Sequence, residues 1–281
     1  MPDWMSAGIA FVYGAIVGSF LNVLIWRLPR DESIIHPPSH CTACGYTLRA
    51  WDNIPLLSWL VYRGQCRKCH AKISSRYFWV ELFTGLMWVA VWYRFGWSVE
   101  FFQFAAVISA LIAVFAIDLE HFIIPDQLWI FIALSGFVAD ALGLLLHLKS
   151  FPWTDIGHLV IPFTSLSIPC PHSVIGFLAY GFAVLAVGEI GTKMFKKDAM
   201  GGGDVKLTAA IGANIGAAYG LISFFMGAFV GTLIGIPLII WGKHGRMAEI
   251  PFGPMLAIGA VVMIFFGTDI VNWWLGYAGL R

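Results

Sequence analysis

Long apolar runs, separated by polar connectors, occupy the first 26 residues and most of the chain after residue 77. Several runs reach the roughly 20 residues that a helix needs to cross the core of a bilayer. The pattern predicts eight transmembrane helices, near residues 6–26, 78–95, 100–118, 127–147, 172–192, 205–218, 220–241 and 253–275. The sixth run is short and rich in glycine, so we expect it to be tilted or packed inside the bundle. The expected fold is an all-α, polytopic membrane helical bundle.

The composition supports a chain that is embedded in lipid. Apolar residues make up 59% of the 281 positions and charged residues only 12%, whereas a soluble domain carries about 25% charged residues. The first run has no basic segment before it and no small-residue cleavage site, so we expect a retained span rather than a signal peptide. No basic stripe indicates a nucleic-acid partner, and we expect none.

The positions of lysine and arginine predict the orientation of the spans. With eight spans, fourteen of the seventeen basic residues fall on one face of the membrane, most of them in the loop between the first and second spans. Basic residues are enriched on the cytoplasmic side of membrane proteins. We therefore expect that loop to be cytoplasmic and both termini to be periplasmic.

The loop between the first two spans contains two C-x2-C pairs. Cys41 with Cys44 and Cys66 with Cys69 are separated by 21 residues, one more than the usual spacing of a zinc ribbon. Four thiolates can close a tetrahedral, structural zinc site with no open position. Two redox disulfides, or no bound partner, are the weaker alternatives, since the cytoplasm is reducing.

Three further residues bear on this cysteine loop. Gly45 and His70 directly follow the two pairs, where tight turns need residues that tolerate unusual backbone angles. His70 could compete as a ligand, but an ordinary exposed role is the simpler prediction. Cys170 has no partner on its side of the membrane, and we expect it to be structural.

Two aspartates occupy the ends of predicted spans on the same face. Asp118 closes the third span, and Asp204 follows three glycines at the start of the sixth. Ionisable residues at the membrane edge are costly and often functional. Carboxylates from separate helices can meet there and act as an aspartic protease pair, one taking a proton from water and the other polarising the scissile carbonyl. Asp118 could instead be a structural charge at a helix end.

The residues around the aspartates have simpler readings. Gly201 and Gly203 remove side chains where a substrate backbone would approach, although glycine-rich turns occur in many membrane proteins. Asp126 follows a proline and precedes a span, so helix capping is its expected role. Glu120 and His121 are expected to be solvated. The chain has no H-E-x-x-H and no G-x-S-x-G motif, so two aspartates remain if it is a protease.

The chain resembles the bacterial type IV prepilin peptidases, also called leader peptidase/N-methyltransferases, over nearly its whole length. Several short stretches carry the resemblance, and they occur in the same order as in that family. They are GSFLNV at 18–23, RLP at 27–29, NIPLLSW at 53–59 between the cysteine pairs, RY at 76–77, EL at 81–82, the two aspartate motifs, and PFGP at 251–254. One departure is Thr42, where the family commonly has proline, and it leaves the thiolate spacing intact.

The resemblance implies the chemistry. Asp118 and Asp204 match the catalytic pair of the GxGD class of membrane aspartic proteases. The family lies in the inner membrane and removes basic leaders from prepilins and type II secretion pseudopilins. Many members then methylate the new amino terminus with S-adenosylmethionine, and the cysteine loop belongs to these bifunctional members. Residues 1–95 would form the region associated with methyl transfer, and residues 96–281 the peptidase domain.

One residue is a candidate for the methyl-transfer site. Glu81 lies at the start of the second span, where a carboxylate could orient the donor's sulfonium or the substrate amine. Pairing of Glu81 with Arg76 is the simpler alternative. Other functions also remain open at this stage: a peptidase without methylation, a proton-coupled transporter, which would place its aspartates near the bilayer midplane, and a non-catalytic assembly factor that binds partners through the cysteine loop.

Overall fold

The computed structural model describes residues 2–145, 156–160, 167–196, 200–241 and 251–279. Within these ranges the chain is mainly helical, apart from the loop between α1 and α3. The helices are α1 (Asp3–Arg27), α2 (Leu57–Val61), α3 (Ser75–Phe95), α4 (Val99–His121), α5 (Asp126–Leu145), α6 (His172–Phe195), α7 (Gly202–Trp241) and α8 (Gly253–Tyr277). Strands β1 (Ile156–Val160) and β2 (Ser167–Pro171) pair as an antiparallel hairpin between α5 and α6.

The predicted membrane bundle is confirmed. Among the described residues, six helices are long and apolar enough to cross a membrane, namely α1 and α4 to α8. Helix α3 is not one of them, and the predicted spans 205–218 and 220–241 are parts of α7. The count of eight therefore stays a prediction.

Helix α7 is interrupted at Gly216, whose backbone is non-helical with φ 75° and ψ 167°. Gly212 and Gly220 lie four residues on either side, and a straight helix would hold them about 12 Å apart. Instead, a β-carbon at either glycine would touch the same side chain, Tyr180, at its Cβ or on its ring. Helix α7 therefore bends sharply at Gly216, two residues before the predicted end of the span 205–218.

The chain divides into two compact units, Met1–Ile117 and Asp118–Arg281. In the first unit, α1 and α3 pack antiparallel at very short range. A β-carbon at Gly14 would lie 2.9 Å from the backbone of Gly85, and Asn22 Nδ2 donates to the carbonyl of Tyr77 over 3.0 Å. Lipid is as apolar as the helices, so the hydrophobic effect does not drive transmembrane helices together. Small residues let two helix backbones come close enough for van der Waals contacts to hold them together instead.

In the second unit, α5 and α7 are held together by small residues and by one buried amide. A β-carbon at Gly136 would collide with the backbone of Ala213. One turn away, Asn214 Nδ2 donates to the carbonyl of Ile132 over 2.7 Å. This packing fixes the first half of α7, which carries Asp204.

Two sequence predictions are not decided by the fold. The basic residues Lys149, Lys197, Lys243, Arg246 and Arg281, which contribute to the orientation prediction, lie outside the described residues. The division into residues 1–95 and 96–281 also stays a prediction.

Candidate active site and cysteine cluster

Asp118 lies in the last turn of α4 and is 5% exposed. Its Oδ2 accepts a hydrogen bond of 2.9 Å from the backbone N–H of Gly253, the first residue of α8. A β-carbon at Gly253 would lie 2.7 Å from the same oxygen. Only glycine therefore leaves room for the carboxylate to take this amide.

Asp204 lies in the first turn of α7 and is half-buried. The backbone of Gly201 hydrogen-bonds its carboxylate, and a β-carbon at Gly201 would approach Oδ2 to 3.1 Å. The neighbouring Gly203 faces Ile124, whose Cβ would lie 3.2 Å from a β-carbon there. These two glycines therefore let the start of α7 turn tightly beside the loop that precedes α5.

The structure brings the two predicted aspartates together. Asp118 and Asp204 are 86 positions apart in sequence, yet they lie close enough for the charge on Asp118 to influence the carboxyl group of Asp204. Two neighbouring carboxyl groups can divide the work of hydrolysis, because one can accept a proton from water while the other donates a hydrogen bond to a carbonyl oxygen. The site can therefore support general acid–base chemistry.

Asp126, eight residues after Asp118, has a different environment. It is the first residue of α5, and its Oδ1 accepts from Trp129 Nε1 at 2.6 Å and from Lys206 Nζ at 2.8 Å. The side chain is 62% exposed. Sequence reasoning predicted a capping role and did not identify the cross-helix partner Lys206. An exposed ion pair of this kind contributes little to stability, about 0–1 kcal/mol.

The four predicted ligand cysteines converge. Their Sγ atoms all lie within 4.8 Å of one another, and those of Cys41 and Cys69 are 3.8 Å apart. A tetrahedral metal with bonds of about 2.3 Å to sulfur requires sulfur atoms roughly 3.8 Å apart. The described cysteines are free thiols. The cluster fits a metal ion with four thiolate ligands.

Two similar turns build the cluster. Gly45 N–H donates to the carbonyl of Cys41 over 2.9 Å, and His70 N–H donates to that of Cys66 over the same distance. Gly45 and His70 both have positive φ, 66° and 58°, as expected from their places after the cysteine pairs. The His70 side chain is outside the cluster.

The local backbone also favours the thiolate form of one ligand. The N–H groups of Cys69 and Lys68 point at the sulfur of Cys66 and lower the pKa of its thiol to about 7. The Lys68 N–H lies 3.4 Å from that Sγ. Because a metal binds the thiolate, this geometry reduces the cost of deprotonation on binding.

Asp52 organises the part of the loop between the cysteine pairs. Its carboxylate accepts from Arg49 N at 3.1 Å and from the hydroxyls of Tyr46 and Tyr62 at 3.1 and 3.2 Å. Burial alone would raise the pKa of Asp52, but these hydrogen bonds outweigh burial, so the pKa lies below its ordinary value. Arg67 adds an ion pair at 3.5 Å. Sequence reasoning did not identify this carboxylate.

Glu81 lies in α3 and is 8% exposed. Its Oε2 accepts the backbone N–H of Leu56 at 2.8 Å, and Ser19 of α1 also hydrogen-bonds its carboxylate. Leu56 has φ of 63°, which is rare for a residue with a side chain. Glu81 therefore holds a strained turn of the cysteine loop against α1 and α3.

Two protein-family models match separate segments of the chain, one with the cysteine loop and Glu81 and the other with the two aspartates. The family model for the Bacterial Peptidase A24 N-terminal domain matches residues 12–95, and the model for the Type IV leader peptidase family matches residues 105–236. A Prepilin leader peptidase/N-methyltransferase of Aeromonas hydrophila is 35% identical, over 97% of this chain and 94% of the relative. The chain belongs to the type IV leader peptidase family.

Other relatives of the same name are equally extensive matches to this leader peptidase. One from Bacillus subtilis (strain 168) is 31% identical over 96% of this chain and 98% of its own length. Another from Legionella pneumophila is 30% identical, over 98% and 96%. No solved structure matches the chain. Both aspartates fall in the leader peptidase segment, whereas the four cysteines and Glu81 fall in the amino-terminal one.

Proposed function

We propose that this leader peptidase cleaves prepilins and type II secretion pseudopilins with Asp118 and Asp204 as its catalytic pair. The observation that carries the proposal is the meeting of two carboxylates, one from the end of α4 and one from the start of α7, in a site lined by glycine. Family membership supplies the reaction class, since the matched segment with both aspartates is that of leader peptidases.

Cleavage then needs only the two carboxyl groups and water. The ionised carboxylate removes a proton from water as the water oxygen attacks the scissile carbonyl carbon. The protonated partner donates a hydrogen bond to the carbonyl oxygen, which gains negative charge in the tetrahedral intermediate. When the C–N bond breaks, the proton taken from water passes to the leaving nitrogen. The products are a leader with a new carboxylate and a pilin with a new amine.

The glycines beside Asp204 are proposed to admit the substrate backbone. A β-carbon at Gly202 would meet no atom within 4 Å, whereas Gly201 adjoins the Asp204 carboxylate itself. An extended leader could therefore approach the carboxylate of Asp204 closely. Gly201 is assigned to substrate contact on this basis, whereas Gly203, which faces Ile124, is assigned to the same site through the tight turn that it permits.

The second proposed reaction is N-methylation of the new amine. The relatives carry N-methyltransferase in their names, and the segment with the cysteine loop is shared with them. S-adenosylmethionine would transfer its methyl group to the unprotonated amine, leaving S-adenosylhomocysteine and a released proton. We assign Glu81 to this reaction, and its hydrogen bond to Leu56 favours a role in shaping the donor site over direct contact with the donor.

The metal of the cysteine cluster is proposed to be zinc in a structural role. Four sulfur ligands leave no position for water, which is typical of structural zinc sites and not of catalytic ones. The loop around the cluster has few large buried side chains; among the residues between 30 and 74 only Cys66 is a buried apolar residue. A bound metal would supply the stability that this loop lacks.

The proposed location is the bacterial inner membrane, with the aspartates and cysteine loop at the cytoplasmic face and both termini in the periplasm. The distribution of lysine and arginine supports this orientation. Prepilin leaders are basic and stay in the cytoplasm, so cleavage at that face reaches them without transport.

Incubation of the purified protein with a prepilin tests the proposal directly. Mass spectrometry should show the mature amino terminus without S-adenosylmethionine and the same species heavier by one methyl group with it. A precursor that stays intact would contradict the peptidase assignment. Cleaved product that is never methylated would leave a peptidase alone.

A further inference from the structure

The short helix α2 has an aliphatic outer face. Leu57, Leu60 and Val61 have the i, i+3, i+4 spacing that places side chains on one side of a helix, and they are 58%, 54% and 71% exposed. The ring of Trp59 points the other way, with its centroid 5.2 Å from that of Phe78 in α3. We call Leu57, Leu60 and Val61 the outer face of α2.

Helix α2 lies beside α1 and not beyond its end. Leu56, which precedes α2, donates its N–H to Glu81. The Cα of Glu81 would lie 2.7 Å from a β-carbon at Gly18 of α1. Helix α1 continues for nine more residues to Arg27, about 14 Å further along its axis. The cysteine loop thus turns back toward the membrane at α2.

The contact between the rings of Trp59 and Phe78 places α2 at the same position along α1. Trp59 packs on Phe78, and the next residue toward the loop, Tyr77, is joined through its carbonyl to Asn22 of α1. Asn22 is five residues, roughly 7 Å, before the end of α1. Both contacts therefore place α2 within the length of a helix that is apolar enough to span a membrane.

Large apolar side chains are also exposed on α1 and α3 at this level. Phe20 of α1 is 49% exposed and Trp79 of α3 is 61% exposed, as expected for side chains that face lipid. A stable protein interface buries at least about 1,000 Å² in total, which the three side chains of a five-residue helix do not approach. Lipid acyl chains can cover an apolar face of any size, so lipid is the occupant that fits this small face.

Exposed arginines follow α2 in the chain and lie at the end of α1. Arg63 is exposed and follows Val61 by two positions, and the guanidinium of Arg30 lies 3.8 Å from the ring centroid of Trp26 at the end of α1. Aliphatic residues flanked by arginine and tryptophan are typical of segments at the boundary between acyl chains and anionic headgroups.

We propose that α2 is an interfacial helix, with Leu57, Leu60 and Val61 inserted into the lipid at the headgroup boundary. The Glu81–Leu56 hydrogen bond and the Trp59–Phe78 contact hold the helix at this depth. The second cysteine pair begins at Cys66, five residues after α2, so the anchored helix keeps the cysteine cluster at the membrane surface. This inference does not depend on the reactions that the protein catalyses.

A spin label tests the insertion. A nitroxide amino acid encoded at position 61 avoids the ligand cysteines, and the full-length protein is reconstituted in vesicles of phosphatidylethanolamine and phosphatidylglycerol. Relaxation is measured with oxygen, which concentrates in lipid, and with a water-soluble nickel chelate. The matched control is a label at Lys68, which is exposed in the same loop. The ratio of oxygen to nickel accessibility should be several-fold higher at position 61 than at position 68.

Equal ratios at the two positions would overturn the proposal, because α2 would then face water. A label at position 61 that is shielded from both reagents would also overturn it, because a second copy or another protein would then cover the face. Should the label at 61 prevent folding, judged by loss of bound metal, position 60 on the same face carries the same measurement and the same expected ratio.

Discussion

The cysteine cluster and the aspartate pair are both built from residues distant in sequence, but by different means. The four cysteines lie within 29 positions, and two similar backbone turns bring each pair into place. The aspartates are 86 positions apart, and their meeting depends on long-range contacts such as that between Asp118 and Gly253 at the start of α8. Local turns thus determine the first site and helix packing determines the second. Mutations should therefore affect the two sites by different routes.

The largest expected effect is on the aspartate pair. Asp118→Asn or Asp204→Asn keeps the shape but removes the ionisable proton, so each should lower the cleavage rate on the order of 10³-fold or more, and the double variant should be no worse than either. The rate of prepilin cleavage by protein of unchanged membrane content is the measurement.

Asp126→Asn is the matched control for these variants. Asp126 is exposed and bound to Lys206, so its loss should keep the rate within about fivefold of wild type. An active Asp118→Asn protein beside an inactive Asp126→Asn protein would show that the wrong aspartate of this segment has been assigned to catalysis.

A second prediction tests whether helix packing positions Asp118. Gly253→Ala places a β-carbon 2.7 Å from Asp118 Oδ2 and should displace the carboxylate from the amide that it accepts. We expect cleavage to fall about 100-fold in kcat, the scale of losing one preorganised hydrogen bond, with little change in KM.

Gly276→Ala in the same helix is the control, since a β-carbon there meets nothing within 4 Å. It should cleave at the wild-type rate. Equal activity of the two alanine variants would mean that the Gly253 amide does not position the catalytic carboxylate.

The cysteine cluster should respond through stability. Cys41→Ser removes one of four ligands, so purified protein should lose its bound metal, about one zinc per chain, and the loop should be digested several-fold faster by trypsin. Metal analysis, with X-ray absorption to identify a sulfur-only shell, checks this. Cys170→Ser, outside the cluster, should keep its metal. Wild-type protein that is metal-free yet resists trypsin would rule out zinc as a structural element.

These sites also differ in how far sequence alone predicted them. The positions of the ligand cysteines, and of the turns at Gly45 and His70, follow from spacing because the chain between them is short. The amide of Gly253 could be assigned only from the fold, since 135 positions separate it from Asp118 and no local pattern signals the contact. The PFGP motif at 251–254 entered the sequence analysis only as part of the family resemblance.

Long-range contacts also explain what sequence reasoning missed elsewhere. The Lys206 partner of Asp126 lies on a different helix, and the Leu56 N–H that binds Glu81 is 25 positions away. A backbone donor cannot be recognised from residue type. The interruption of α7 was predicted three residues too late, at the gap between the spans 205–218 and 220–241, whereas the structure has it at Gly216.

The smallest expected effect concerns pH and the centre of the cysteine loop. The pKa of Asp52 is lowered in the folded loop, so the ionised carboxylate stabilises the loop fully above the unfolded value of about 3.9. That contribution is lost as the pH falls through the lower, folded pKa. Asp52→Asn should therefore raise hydrogen exchange in residues 46–62 a few-fold at neutral pH, with the difference from wild type vanishing in strong acid.

Asp31→Asn serves as the control for this measurement, because Asp31 is exposed and asparagine tolerates its left-handed backbone. Its exchange in residues 46–62 should match wild type at every pH. A neutral-pH effect of Asp52→Asn no larger than that of Asp31→Asn would show that the Asp52 hydrogen bonds do not stabilise the loop.

The central claim is that the aspartate pair performs cleavage alone, while the amino-terminal region with the cysteine loop performs methyl transfer. Mass spectrometry of the products of Asp204→Asn protein tests it most directly, with S-adenosylmethionine and either intact prepilin or a precut pilin. The account predicts no cleavage of the intact prepilin and methylation of the precut pilin at the wild-type rate. Cleavage of the prepilin by this variant, or loss of both reactions in protein that retains its metal, would contradict it.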